Sequence, residues 1–212
     1  MKKRVIKTII GFLVMLIFIL LSFLFDKEII IFIASLRNIF LDYFLISVFF
    51  ASNVFIILFF IGSIFLFKQE KRKWIFPLAF AILLSAIVSF AIKTLIGRLR
   101  PFQEGLVSVL RFLFYFMKES VNTWNYSFPS FQAMLVFSVY PIICKEFNKF
   151  KYIWFIFACL IAFSRVYFGV HYMSDILVGA VVGYFIGLFA VWVEEQTGFG
   201  IKLAKKIKLI VD

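Results

Sequence analysis

The chain has little with which to crosslink itself or hold a metal. Its 212 residues include two cysteines and one histidine. Cys144 and Cys159 fall near the end and in the middle of apolar runs. They read as small apolar residues, and they build neither a disulfide framework nor a metal cluster. Charge is also scarce, at 16% of residues against 64% hydrophobic. A soluble chain of this length needs a polar surface, and too few polar residues are present to make one. Acidic residues are the rarer sign, 11 against 23 Lys and Arg, for a formal charge of +12. Nucleic acid would call for a continuous basic face. Here the basic residues sit at the ends of apolar runs, where they anchor to anionic headgroups and set topology, so the expected partner is a membrane and not nucleic acid.

What is abundant is apolar length, with 33 Phe contributing to it. Six stretches are long enough, or nearly so, to cross a hydrocarbon core of about 30 Å. They are Thr8–Phe25, Phe44–Phe67, Trp74–Ile96, Pro129–Cys144, Tyr152–Val166 and Met173–Val193. The first has a basic start but no small-residue cleavage site before Asp26, so it reads as a retained helix. No internal repeat or low-complexity linker interrupts the chain. The expectation is an all-α fold: a bundle of six transmembrane helices forming one domain over residues 1–212.

Basic residues orient the bundle. With the N-terminus in the cytoplasm, the inner side carries Lys2, Lys3, Arg4, Lys7, Lys68, Lys71, Arg72, Lys73, Lys145, Lys149, Lys151, Lys202, Lys205, Lys206 and Lys208. The outer side keeps Lys27, Arg37, Lys93, Arg98, Arg100, Arg111, Lys118 and Arg165. This asymmetry favours both termini inside a multi-pass inner-membrane protein. Three connectors have two readings each, an ordered linker or a surface helix: Lys27–Asn38, Gly105–Met117 and the Lys-rich tail from Gly198.

Lys93 and Arg165 lie inside or at the lip of apolar runs, where an ionisable group is costly and a function is the default hypothesis. Snorkelling to the interface is the alternative. Snorkelling alone does not explain why the single histidine, His171, and the carboxylate Asp175 fall at the same level. In the topology above, four helix ends meet on the outer side. They bring Lys93 and Arg100, the hydroxyl and helix start at Ser130, Arg165, and the His171–Asp175 pair. Forked guanidinium donors and a helix N-terminus suit a phosphate. His171 and Asp175 are four apart, so they share a face if the sixth helix begins near His171. The carboxylate then orients the ring and leaves the other nitrogen free as a nucleophile.

These residues resemble the type-2 phosphatidic acid phosphatases, which include lipid phosphate phosphatases and undecaprenyl-diphosphate phosphatases. Lys93-Thr-Leu-Ile-Gly-Arg-Leu-Arg100-Pro101 matches the family's Lys-x6-Arg-Pro, and Ser164-Arg165-x5-His171-x3-Asp175 matches its Ser-Arg-x5-His-x3-Asp. The middle motif, Pro-Ser-Gly-His, reads Pro129-Ser130-Phe131-Gln132 here. The resemblance implies that Lys93, Arg100, Ser130 and Arg165 hold phosphoryl oxygens. It implies that His171 forms a phosphohistidine and Asp175 orients it, with no metal or other cofactor. The substrate implied is a phospholipid or polyprenyl phosphate, processed at the extracytoplasmic face.

Gln132 departs from that pattern, because it can donate a hydrogen bond but cannot titrate as the family's general-acid histidine does. Losing a general acid typically costs on the order of 10²–10⁴ in rate. Phe131 also puts a ring where the family has glycine. Three explanations stand. The leaving group needs no acid, as with a diphosphate; another group, Glu104, Glu119 or Tyr126, supplies the proton; or the protein binds lipid phosphate or transfers phosphoryl groups without hydrolysis. A transporter with intramembrane charges is a further reading, but the charges crowd one face and not the midplane.

Overall fold

The computed structural model describes residues 2–67, 69–108 and 125–210. Among them every regular element is a helix: α1 Lys2–Leu24, α2 Asp26–Ser35, α3 Ile39–Ala51, α4 Val54–Phe67, α5 Ile75–Ile96, α6 Phe131–Glu146, α7 Lys151–Tyr167, α8 Met173–Thr197 and α9 Phe199–Lys206. A 3₁₀ turn, Gln69–Trp74, leads into α5.

Five of the six predicted runs each contain one long helix. The second does not. Phe44–Phe67 is divided between α3 and α4 by Ser52 and Asn53. Ser52 closes α3 by donating to the Phe49 carbonyl at 2.5 Å, and its hydroxyl also accepts from the Arg165 guanidinium. A break inside an apolar run is tolerable because protein groups satisfy the interrupted backbone. Among the described residues, two helical stretches are long and apolar enough to cross a membrane alone, Gln69–Ile96 and Met173–Thr197. A third arises if α2 and α3, bent by 119°, count as one. The connector Lys27–Asn38 is therefore mostly helix. Gly105–Met117 shows turns as far as Ser108, and its remainder lies outside the described residues. Of the two readings of the tail, the helical one holds over Phe199–Lys206. Glu194 accepts from the Gly200 and Ile201 backbone N–H groups to start α9, which keeps Gly200 and Ala204 inward and leaves its lysines exposed.

Among the described residues the most extensive helix contact is between α6 and α8. A Cβ on Gly179 would stand 2.7 Å from the Ser130 carbonyl oxygen, one on Gly183 2.1 Å from that of Met134, and one on Gly187 2.1 Å from that of Ser138. Glycines four apart thus give α8 a bare stripe against which the α6 backbone lies, the usual route to tight helix contact without a soluble-type driving force. The contacts advance in the same direction along both chains. The two helices therefore run parallel and begin at the same end.

Around this pair, α4, α5 and α7 complete an apolar core that includes Ile61, Phe65, Leu78, Val139 and Ile161. A second cluster, from Ile30 and Ile33 through Leu45, Phe49 and Val166 to Ile176, packs α2 and α3 against the helix starts. Many large apolar side chains face outward, among them Phe18, Phe40, Phe59, Phe67 and Leu95. Such extensive apolar exposure suits lipid.

Adding a methyl at Gly183 forces the two backbones apart. Gly183→Ala is expected to destabilise the fold by about 1–3 kcal/mol through overpacking. Gly62→Ala, where nothing lies within 4 Å of the new Cβ, should leave the thermal midpoint in detergent nearly unchanged. Equal midpoints for the two variants would contradict the packing account.

Candidate active site

Four helix ends meet where α6 and α8 begin. Helix α5 stops at Gly97, whose φ of 61° lets the chain turn left-handed, and Arg98 and Arg100 then run back across the end of the bundle. Helix α6 starts from Ser130, whose hydroxyl faces the Ala133 N–H at 3.5 Å. The Ser130 N–H donates to the Asp175 backbone carbonyl at 3.0 Å and so joins the two helix starts. Helix α7 brings Ser164 and Arg165 in its last turn, and the next loop carries His171.

Asp175 is the centre of this arrangement and is fully buried. Its Oδ2 accepts from the Tyr172 N–H at 2.8 Å, closing the first turn of α8. Its Oδ1 accepts from Arg98 Nη1 at 2.9 Å. His171 Nδ1 lies 3.5 Å from Oδ2, longer than a formed hydrogen bond, and that nitrogen is buried without a partner. Helical spacing puts both residues on one face only if the helix begins near His171. Here α8 begins only at Met173, so His171 precedes the helix and Asp175 reaches back to it from the first turn. The pair meets, but by capping geometry and not by helical spacing.

Three cations press on the imidazole. Burial, and then the charges of Arg100, Lys93 and Arg165, hold His171 well below the usual imidazole range, while a backbone hydrogen bond with Ser127 works the other way. The ring is thus neutral at pH 7. With the Asp175 oxygen facing Nδ1, a proton there leaves Nε2 with its lone pair. Burial lowers Arg100 to about 10, against the pull of Asp175, so it stays charged at neutral pH. It donates to the carbonyls of Asn125 at 2.9 Å and Val170 at 3.0 Å.

Lys93 and Arg165 are buried too. Lys93 donates to the Tyr126 carbonyl. Arg165 donates to the Phe49 carbonyl at 3.4 Å and to Ser52, and its Nε has no partner. Among the described residues neither cation has a carboxylate at ion-pair distance. Arg165 also lies over the Phe49 ring, 3.8 Å from its centroid. Buried positive charge with no carboxylate at ion-pair distance is costly and favours a bound anion. Gln132 is half-buried in the first turn of α6, while Phe131 packs against the apolar core.

The PAP2 superfamily matches residues 74–198, a segment holding all three motifs. The chain belongs to that family. This PAP2 chain is 26% identical over 114 residues to the bacitracin transport permease protein BcrC of Bacillus licheniformis, covering 54% of this chain and 56% of that one. It is likewise 26% identical over 113 residues to an undecaprenyl-diphosphatase of Sulfolobus acidocaldarius, covering 53% and 55%. The matched segments thus span about half the length of these relatives. The crystal structure of a transmembrane PAP2 type phosphatidylglycerolphosphate phosphatase from Bacillus subtilis superposes with a TM-score of 0.68, covering 87% of this chain and 96% of that one. At 20% identity that likeness is one of fold. With its apolar helices and exposed apolar surface, the PAP2 chain is a membrane protein.

Three residues at this site escaped the sequence argument. Arg98 counted only as an outer charge, yet it bridges Asp175 at 2.9 Å and Asp26 at 2.8 Å. Burial acts to lower it, but Asp175 and Asp26 outweigh burial and leave it raised. Asp26 and Ser52 carry no signal in the sequence: Asp26 opens the charged stretch Asp26-Lys27-Glu28 after the first apolar run, and Ser52 is a neutral residue beside Asn53 inside the second. Of the alternative proton donors, Glu104 is exposed and pairs with Lys27 at 3.7 Å, Tyr126 is half-buried, and Glu119 lies outside the described residues. Because Ser52 holds Arg165, Ser52→Ala should weaken the binding of inorganic phosphate about tenfold, the scale of one lost bond to a charged group. Calorimetric titration of the detergent-solubilised protein would measure this, and an unchanged affinity would count against the assignment.

Proposed function

We propose that the whole chain, residues 1–212, works as one integral membrane domain that removes a phosphate from a lipid phosphate or diphosphate. The observation that carries this reading is the pair of buried cations, Lys93 and Arg165, which have no carboxylate at ion-pair distance and lie near enough for their charges to act on the His171 imidazole. A phosphoryl group brings about two negative charges at pH 7, which match two unbalanced cations.

His171 Nε2 attacks phosphorus as the bond to the leaving oxygen breaks. Positive charge develops on the ring, and Asp175 stabilises it through Nδ1–H. Lys93, Arg100 and Arg165 bind the equatorial oxygens, aided by the starts of α6 and α8, which lie side by side with their positive dipole ends toward the site. Water then attacks the phosphohistidine and restores the neutral ring. Each step uses side chains of the protein alone, without a metal.

Gln132 supplies no proton to the departing group, so chemistry selects the substrate. An alkoxide departing from a monoester has a conjugate acid with a pKa near that of water, about 15.7. A lipid phosphate leaving a diphosphate has one of only about 6. A polyprenyl diphosphate is therefore the favoured substrate, and the undecaprenyl-diphosphatase relative adds weight to that reading. In the proposed topology six spans place both termini in the cytoplasm and the site on the outer face of the inner membrane, open to lipid from the outer leaflet.

Purified protein in detergent should release phosphate from a polyprenyl diphosphate faster than from phosphatidate, and His171→Ala should abolish both. Gln132→His should raise monoester turnover by roughly 10²-fold or more as a general acid returns. No release by the wild type, with activity appearing only in Gln132→His, would point instead to a lipid-phosphate binder. The imidazole must be neutral to attack and is held low, so the acid limb of kcat/KM should fall below pH 6.5. A limb at or above that value would show that His171 is not the group titrating.

A further inference from the structure

The family match begins at residue 74, and none of the motifs reaches the first two helices. Yet Asp26, the first residue of α2, is 2% exposed and sits against the start of α8. Its Oδ1 accepts from the Ser174 N–H at 3.0 Å. Its Oδ2 accepts from the Ser174 hydroxyl and from Arg98 Nη2 at 2.8 Å. Arg98 turns its other terminal nitrogen to Asp175 Oδ1, and Asp175 Oδ2 faces His171 Nδ1. A chain of contacts, ionic as far as Asp175, therefore runs from α2 to within 3.5 Å of the imidazole.

Capping α8 does not by itself account for Asp26. A cap needs only an acceptor for the helix N–H, which Ser or Asn also provides. The ion pair with Arg98 goes further. If Arg98 paired with Asp175 alone, its charge would draw on the carboxylate that must stabilise a positive ring at His171. Asp26 takes up half of that fork and balances the charge. It also fixes the guanidinium plane, which lies 4.0 Å over the Tyr172 ring. A planar fork held between two carboxylates has one orientation, and a lysine could not reproduce it.

We propose that Asp26 is a positioning residue that acts through Arg98 to hold Asp175, and with it His171, in place and in charge balance. The inference rests on His171 being the nucleophile. It adds to the site a residue from outside the matched segment.

The chain has one histidine, so ¹⁵N-histidine labelling yields one imidazole whose titration is readable in detergent without turnover. The charged groups around that ring are Lys93 on α5, Arg98 and Arg100 after it, Arg165 on α7 and Asp175 on α8, and all remain in Asp26→Asn. That substitution also keeps an acceptor for Ser174. It leaves Arg98 unbalanced, which disfavours imidazolium, so the His171 midpoint should fall by roughly half a pH unit or more. On an Arg98→Gln background the same change should move it by less than about 0.2 units, since Asp26 then has nothing to hold. No shift in the first case, or equal shifts in both, would overturn the proposal.

Turnover gives a second reading: Asp26→Asn should lower kcat about tenfold with KM within about twofold, and Asp26→Glu should recover most of the loss. A loss confined to KM would overturn it equally. If Asp26→Asn alone does not yield folded protein, the double variant, with neither charge orphaned, must match Arg98→Gln in its midpoint. A wild type that releases no phosphate would refute the proposed function, while the titration would still decide the role of Asp26.

Discussion

Two parallel helices can start side by side only if nothing on their facing surfaces keeps them apart, and the rest of this site depends on that contact. Gly179, Gly183 and Gly187 leave the α6 backbone in direct touch with α8. The Ser130 N–H consequently reaches the Asp175 carbonyl, and two positive helix ends point at one place. Larger residues on the stripe would separate the serine from the histidine pair, even with every motif intact.

Charge is the second constraint. The site gathers cations from α5, α7 and the segment after α5, in surroundings that disfavour unpaired charge. Part of the excess is settled internally, since Arg98 is divided between Asp26 and Asp175. Part is not, since Lys93 and Arg165 rest on carbonyl and hydroxyl oxygens. The division has a chemical sense. Under the proposed function, the internally balanced arginine holds the carboxylate that faces the imidazole, and the unbalanced cations are left to receive an anion. At the break between α3 and α4, the Ser52 hydroxyl accepts from Arg165.

The departure at Gln132 is easier to understand within this frame. In the proposed reaction the cations, the helix starts and the imidazole would all act on the phosphoryl group. Only the missing histidine would act on the leaving group. Loss of that histidine would leave the proposed phosphate ligands and nucleophile in place and make the reaction sensitive to how readily the other oxygen departs. Phe131, which also departs from the motif, is partly buried and packs against the apolar core.

The membrane character, the all-helical fold, the approximate limits of five helices and the motif residues were legible from sequence because each rests on a local property. Apolar length, basic flanks and fixed spacing need no knowledge of neighbours. The pairing of His171 with Asp175 was legible as well, though for a different geometric reason than the one spacing suggested. What only the tertiary structure decided is which lone polar residues belong to the site. Asp26 and Ser52 lie 149 and 119 positions before Asp175 and His171 in the numbering, and nothing in their neighbourhoods marks them. A buried charge takes its partners from whatever the packing brings within about 3 Å, and that choice is made by how helices cross, which a linear pattern does not contain.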